Sequence, residues 1–340
     1  MSRHLLEAWG GLWASRLAAA LILGVAVLGG ASVLPKGTRA ADGTREKVSF
    51  YFAAHEDDWQ LFMNPSAFVD VTDPKAKTVF VHTTAGDAGL GTGTGGRKHP
   101  YYLARENGAE TAIRFMADSG EQPANTIESR VSFNGHQIYR IGYRNTAAYF
   151  LRLPDGHPNG SGFPGTGHQS LERLAKGEIN VLSAVDGSAS YRGWNDLVTT
   201  IRAILDYERG EATSVNLNVA ERLVTVNPDD HSDHQMTAKA ALEAAGDLAC
   251  ARRNYYVDYA SAKLPENLDP QERDMESSVL AVTAAGLLAF DHTSIWQRYF
   301  RSYLGRNYFR VENGTGHCRE PLLRGRQAAA SQPLDSIGKR

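Results

Sequence analysis

The run Lys47-Val-Ser-Phe-Tyr-Phe-Ala-Ala54, followed at once by His55-Glu-Asp-Asp-Trp59, decides how this chain is read. Eight residues, mostly apolar and aromatic, read as a short buried strand. The polar cluster behind it then stands at the carboxyl end of that strand, which is where open α/β sheets hold their ligands.

Working outward, a second apolar run at Thr78–Thr84 reads as another strand, and a glycine-rich loop spans 86–99. Tyr101 to Met116 carries Tyr102, Ala109, Ala112, Ile113 and Met116 on one helical stripe. Val131 to Leu153 reads as two or three further strands. Asn195–Tyr207 and Gln235–Leu248 read as amphipathic helices, with a strand expected at Leu223–Asn227 between them and another helix at Ser277–Phe290. The order strand, loop, helix predicts an α/β domain with a Rossmann-like, mostly parallel sheet and helices on both faces. Gly91, Gly93 and Gly96 satisfy a dinucleotide-binding spacing. Pro100 separates them from the next helix, so a helix N-terminus is not offered to a pyrophosphate and that function is set aside.

The chain has 340 residues with 36 Lys+Arg, 38 Asp+Glu and 42% hydrophobic content, enough for one large α/β core. A net charge of −2 without a basic run argues against nucleic acid as a partner. Leu17 to Leu34 is an 18-residue stretch without a charge, preceded by Arg3 and Arg16. It predicts that residues 1–40 are a signal peptide or a membrane anchor, and that the rest is exported, secreted or periplasmic, or tethered by that segment. Residues 319–340 read as a loose polar tail; Cys250 and Cys318 could form one disulfide, with two unrelated buried or free thiols the favoured reading. The Gly/Pro-rich segment Pro154–Gly177 shows no periodicity and is expected to border the site as a long loop.

Two motifs carry the chemistry. In the first, His55 and Asp58 are three apart, so a tight turn aims both at one point while Asp57 faces elsewhere. In the second, Asp229-Asp-His-Ser-Asp-His234 precedes a helix, and His231 and His234 share one face with Ala238, Ala241 and Ala245. Together they offer His55, Asp58 and one histidine, three donors of the kind zinc accepts, with a fourth position left for water.

Paired HEDD and HSDH motifs of this kind resemble those of the PIG-L/LmbE-like zinc deacetylases, over about Val48 to Phe309. The likeness takes in Thr84-Ala-Gly-Asp-Ala-Gly89, a helix with Arg105 and Glu106, the Leu153-Pro-Asp155 turn and Trp194-Asn-Asp-Leu197. It implies a deacetylase domain at 41–318 in which His55, Asp58 and His234 bind Zn2+, Asp57 is the general base, His231 the general acid and Asp155 its acidic partner. Arg105 is expected to bind a sugar hydroxyl, orient a site carboxylate or pair with a structural acid, and Trp59 to offer a stacking platform to a sugar or, the more common fate, to fill the core. A carboxylate near His231 would favour its charged form.

The implied activity is zinc-dependent removal of acetyl from an N-acetylglucosamine-type sugar or glycoconjugate. The alternatives are a zinc amidase on a non-sugar amide and a non-catalytic carbohydrate-binding protein. The partner expected is a small-molecule or glycoconjugate substrate, with a membrane involved solely through the N-terminal anchor. Three departures stand out: Glu56 in place of the usual proline, Trp59 in place of an acid, and Asp229 where some members carry a tyrosine.

Overall fold

β1 (Lys47–Ala53) pairs in parallel with β2 (Ala76–Thr84), Lys47 opposite Ala76 and Ala53 opposite His82. Parallel neighbours cannot be joined by a tight turn. The crossover is made by α1 (Asp58–Phe62) and α2 (Ser66–Thr72). After α3 (Tyr101–Ala117) an antiparallel meander of β3 (Ile127–Phe133), β4 (His136–Tyr143) and β5 (Thr146–Leu153) brings β5 back to pair in parallel with β2. The β3–β4 hairpin turns at Asn134-Gly135, both at positive φ (51° and 84°), the conformation that Asn-Gly adopts at least cost.

The chain continues through α4 (Leu171–Ala175), the small hairpin β6 (Val181–Ser183) and β7 (Ser190–Arg192), then α5 (Trp194–Arg209). Next β8 (Ser214–Ala220) pairs in parallel with the free side of β1. After α6 (Ser232–Ala245), β9 (Arg252–Tyr256) adds to β8 in parallel. Finally come α7 (Pro270–Ala289), α8 (Trp296–Tyr303) and the antiparallel edge strand β10 (Phe309–Glu312). This structure, a computed structural model, describes residues 46–316 except residue 247, together with Cys318. The expectations for residues 1–40 and 319–340 lie outside the described residues. Among those described, no helix is long and apolar enough to cross a membrane.

The sheet order is β10-β9-β8-β1-β2-β5-β4-β3, so the α/β, mostly parallel architecture is as expected. Each face carries its own core. On one, Val48, Phe50 and Phe52 of β1 pack with α5 and α6 through residues such as Leu197, Ile201 and Ala241. On the other, Tyr51 and Ala53 pack with α1, α3 and α7 through Trp59, Ala109 and Leu287. Successive side chains of a strand point to opposite faces, so β1 serves both cores. From β1 the chain runs outward through β2 to β5, then returns to the opposite flank as β8. The loops after β1 and β8 therefore diverge and leave a crevice at the strands' carboxyl ends.

Three expectations are corrected. Leu223–Asn227 is a loop, with Leu223, Val224 and Val226 exposed at 50%, 75% and 43%. The strand is β8, just upstream, whose Val215, Leu217 and Val219 are buried while Asn216 and Asn218 take the alternate positions. Polar alternation disguised it, and an apolar loop imitated it. Cys250 and Cys318 form a disulfide, joining positions 68 apart in sequence, rather than remaining free thiols. The Pro154–Gly177 segment is not one structureless loop: a 3-10 turn at Pro164–Thr166 and α4 lie within it, the latter capped by Ser170.

Two stability predictions follow from these contacts. A cross-link of this span restrains the unfolded chain by up to about 4 kcal/mol. Cys250→Ser should lower unfolding stability by about 2–4 kcal/mol in a denaturant titration, and an unchanged midpoint would count against the bond. Glu276 on α7 is buried, with Oε2 accepting the Gly305 N–H at 2.6 Å and Oε1 facing no partner. Burial pushes its carboxyl up to about 8. A raised folded-state pKa gives stability that is present at acid pH and lost as pH rises from the ordinary carboxylate range through about 8. Glu276→Gln should flatten the decline in stability between pH 5 and 9, read from unfolding curves at several pH values.

Candidate metal centre

All five parallel strands deliver polar residues to the crevice. His55, Asp57 and Asp58 follow β1, Asp87 follows β2 and Asp155 follows β5. Asp230, His231, Asp233 and His234 follow β8 around the start of α6, and Asp258 follows β9. The turn after β1 is held by the Asp58 carboxylate itself, whose Oδ2 accepts the His55 backbone N–H at 2.7 Å. On the other flank, His231 caps α6: its Nδ1 accepts the Asp233 N–H at 3.1 Å, satisfying a donor that a helix start leaves open.

Three electron-rich atoms converge at the centre. His55 Nδ1 lies 3.2 Å from His234 Nε2 and 3.4 Å from Asp58 Oδ1, and His234 Nε2 lies 3.2 Å from Asp58 Oδ1. All three residues are buried. In tetrahedral coordination with bonds of about 2.0–2.1 Å, ligand atoms stand about 3.3 Å apart. The observed triangle has the dimensions of one face of such a tetrahedron, so the residues fit a small divalent ion.

The atoms behind the triangle support the same reading. His234 Nδ1 is 2.8 Å from Asp230 Oδ1 and 3.2 Å from Asp258 Oδ2, so it carries the proton and leaves the Nε2 lone pair facing the triangle. His55 Nε2 is buried without a hydrogen bond and lies 3.5 Å from Asp233 Oδ2, leaving Nδ1 as the inward donor. Asp233 is held by the Gly156 N–H at 2.8 Å. Gly156 admits that approach because a Cβ there would stand 2.5 Å from Asp233 Oδ1.

The electrostatics follow from burial and these partners. Burial opposes charge on both imidazoles, yet Asp58 outweighs it and holds His55 and His234 well above the usual range, so a metal ion that takes their inward lone pairs displaces a proton from each. Burial also opposes charge on Asp58, and the two imidazoles overcome it, keeping its carboxyl well below the usual range. Burial and Asp230 push Asp258 up to about 7. His231 goes the opposite way: burial, with His55 and His234 beside it, drives it well below the imidazole range. Asp155 Oδ1 stands 3.7 Å from His231 Nε2, too far to hydrogen-bond and too weak to offset burial. Because Nδ1 accepts from the backbone, a neutral His231 carries its proton on Nε2.

Asp57 stays out of the triangle. Its Oδ1 is paired with Arg105 Nη2, while Arg105 Nε donates to Glu56 Oε2 at 2.9 Å. Arg105 is itself buried and pairs with both carboxylates. Glu56, standing where a proline was expected, serves as the second anchor of that guanidinium, and burial pushes it up to about 8 despite Arg105. Gly86 makes room: a Cβ there would fall 2.6 Å from Arg105 Nε. Trp59 is corrected outright. It is fully buried, packs on Phe80 with ring centroids 4.5 Å apart, and donates Nε1–H to His82 Nε2 at 3.2 Å, so it offers no platform to a ligand. Burial pushes His82 down to about 4, leaving it neutral and able to accept that bond.

Sequence reading missed Asp230, Asp233 and Asp258. Asp230 precedes His234 by four residues and could have been found by asking what orients that imidazole. Asp258 carries no signal, because only the pairing of β9 with β8 brings it near. Comparison with protein-family models and with curated proteins finds no match for this chain.

Loss of one corner should empty the centre. His234→Ala should abolish stoichiometric binding of a divalent ion, measured by elemental analysis of purified protein. Asp230→Asn should weaken metal affinity by about 10–100-fold while leaving the triangle's donors in place. Full metal content in His234→Ala would remove it from the ligand set.

Proposed function

We propose that the chain is a zinc-dependent hydrolase that removes acetyl from an N-acetylglucosamine-type sugar or glycoconjugate, releasing acetate and a free amine. It is, on this reading, a PIG-L/LmbE-like deacetylase, the family its motifs resemble. The observation that carries the proposal is the separation of two neighbouring carboxylates. Asp58 completes a triangle of metal-type donors, while Asp57, one residue earlier, is held out of it by Arg105.

Two imidazoles and one carboxylate are the donor set of a hydrolytic zinc centre. A zinc ion held there supplies Lewis acidity, polarising an amide carbonyl and making water a stronger acid. The chain's own residues do the rest. Arg105 holds Asp57 in place through Oδ1, and Asp57 Oδ2 has no hydrogen-bond partner among the described residues, so it is free to take the proton of an attacking water. His231, neutral with its proton on Nε2, hydrogen-bonds the oxygen that gains negative charge as the carbonyl is attacked. The amine then leaves with the proton that Asp57 took from water. This reading gives His231 the part of an oxyanion donor where a charged general acid was expected.

The compartment is part of the proposal. Disulfides persist in oxidising surroundings. The Cys250–Cys318 bond therefore supports export, as does the apolar stretch at 17–34.

The test is acetate release from a panel of N-acetyl sugars by purified protein, with and without a chelator, and restored by zinc. Asp57→Asn should retain zinc and lose about 10²–10⁴ in kcat, whereas Asp58→Asn should lose zinc and activity together. Full activity in Asp57→Asn would end the general-base role. Turnover of non-sugar amides but of no sugar would move the protein to a different amidase class.

A further inference from the structure

A second concave site lies on the opposite side of the sheet from α5 and α6. It is a cavity of about 420 Å³, within the range of ligand pockets, and its floor is the face of β1, β8 and β9 that α1, α3 and α7 leave open. Across that floor Tyr51, Asn218 and Asn254 stand in register, Tyr51 opposite Asn218 and Asn218 opposite Asn254. Asn216 lies two residues before Asn218 on the same face. Asparagine is disfavoured in strands, and three of them on one sheet face need a reason.

The chemistry of the walls narrows the ligand. The acidic and basic residues lining the cavity are Lys47, Asp70, Arg252 and Glu272, two of each formal sign, so a net charge on the ligand gains nothing. Lys47 is already paired with Asp70, which also accepts the Tyr51 hydroxyl at 2.7 Å. What remains is one carboxamide oxygen and the outer face of one guanidinium. Asn216 Nδ2 donates to Ser49 Oγ at 3.2 Å, leaving its carbonyl oxygen without a partner among the described residues. Arg252 Nε donates to Asn254 Oδ1 at 3.1 Å, and its Nη groups make no hydrogen bond among the described residues. At the rim Phe309 is 41% exposed, its ring 4.9 Å from that of Tyr256.

Asn218 and Asn254 are bonded to each other and to their neighbours, so the open groups are the Asn216 carbonyl oxygen and the Arg252 Nη groups; with balanced formal charge and an exposed aromatic face they match one ligand class. We propose that this cavity binds a neutral oligosaccharide, with Phe309 stacked on an apolar sugar face and Asn216 and Arg252 bonding its hydroxyls. Tyr51 lies four residues before His55, roughly 13 Å along the strand, so the cavity is separate from the metal centre. The proposal goes beyond the hydrolase reading and does not depend on it.

The experiment titrates the full chain with maltotetraose and cellotetraose, which are neutral and contain no amide to hydrolyse. At least one should bind saturably in calorimetry with a dissociation constant near or below about 1 mM. Phe309→Ala and Asn216→Leu should each weaken that binding at least tenfold, and His234→Ala should leave it within twofold. Phe309 sits exposed on an edge strand, so its variant decides the matter should Asn216→Leu not fold. No saturable binding up to about 10 mM, or unchanged binding in Phe309→Ala, would overturn the proposal. So would tighter binding of a heparin tetrasaccharide, which would make the ligand anionic, or loss of binding in His234→Ala, which would place it at the metal centre.

Discussion

Three lone pairs forced together inside a protein must be compensated, and much of this structure answers that constraint. His55 Nδ1, His234 Nε2 and Asp58 Oδ1 face one another at 3.2–3.4 Å in a buried crevice. Such an arrangement is tolerable when protons or a cation occupy it and costly otherwise. Asp230, Asp258 and Asp233 stand behind the two imidazoles, accepting or facing the outward nitrogens and so fixing which nitrogen points inward. Each carboxylate comes from the loop or the helix start that follows β8 or β9. The centre is therefore a property of the sheet order, and it would not survive a change in which strands flank β1.

A second constraint radiates from α3. Arg105 and Glu106 are consecutive and both buried, yet they face different partners. Arg105 ties the turn after β1 through Glu56 and Asp57. Glu106 holds Arg152 at the end of β5 through two hydrogen bonds of 2.6 and 2.7 Å, and Arg152 reaches on to Asp186 at 2.7 Å. Breaking any one partner would strand a buried charge, which is costly even where the intact pair adds little net stability. Such a chain of charges fixes position. It sets the height of α3 over the strand ends, and with it the side chain of Asp57, one residue from a ligand atom.

The two faces of the sheet are used differently. The α5–α6 face is closed by aliphatic packing against β1, β8 and β5. The other is closed over β1, β2 and β5 by α1, α3 and α7, and stays polar and concave over β8 and β9. The sequence SVNLNVA of β8 records this division in one strand, with valine and leucine toward the closed face and asparagine toward the open one.

Much of this was written in the sequence because it depends on local spacing. The apolar run of β1, the three-residue interval from His55 to Asp58, and the HxxH at the start of α6 fix secondary structure and side-chain direction without reference to distant contacts. They sufficed for the mostly parallel α/β architecture and for His55, Asp58 and one histidine of the HxxH pair; the choice of His234 came with the resemblance. Tertiary structure alone decided the rest, for a common reason: those features arise where segments far apart in sequence meet. Asp258 joins His234 through the β8–β9 pairing, and Arg105 meets Asp57 across 48 positions. Trp59 is buried because Phe80 and His82 lie on the neighbouring strand. Leu223 to Val226 looked like a strand until β8 had taken the place beside β1, for hydrophobic composition states a preference and only the finished sheet determines which segment satisfies it.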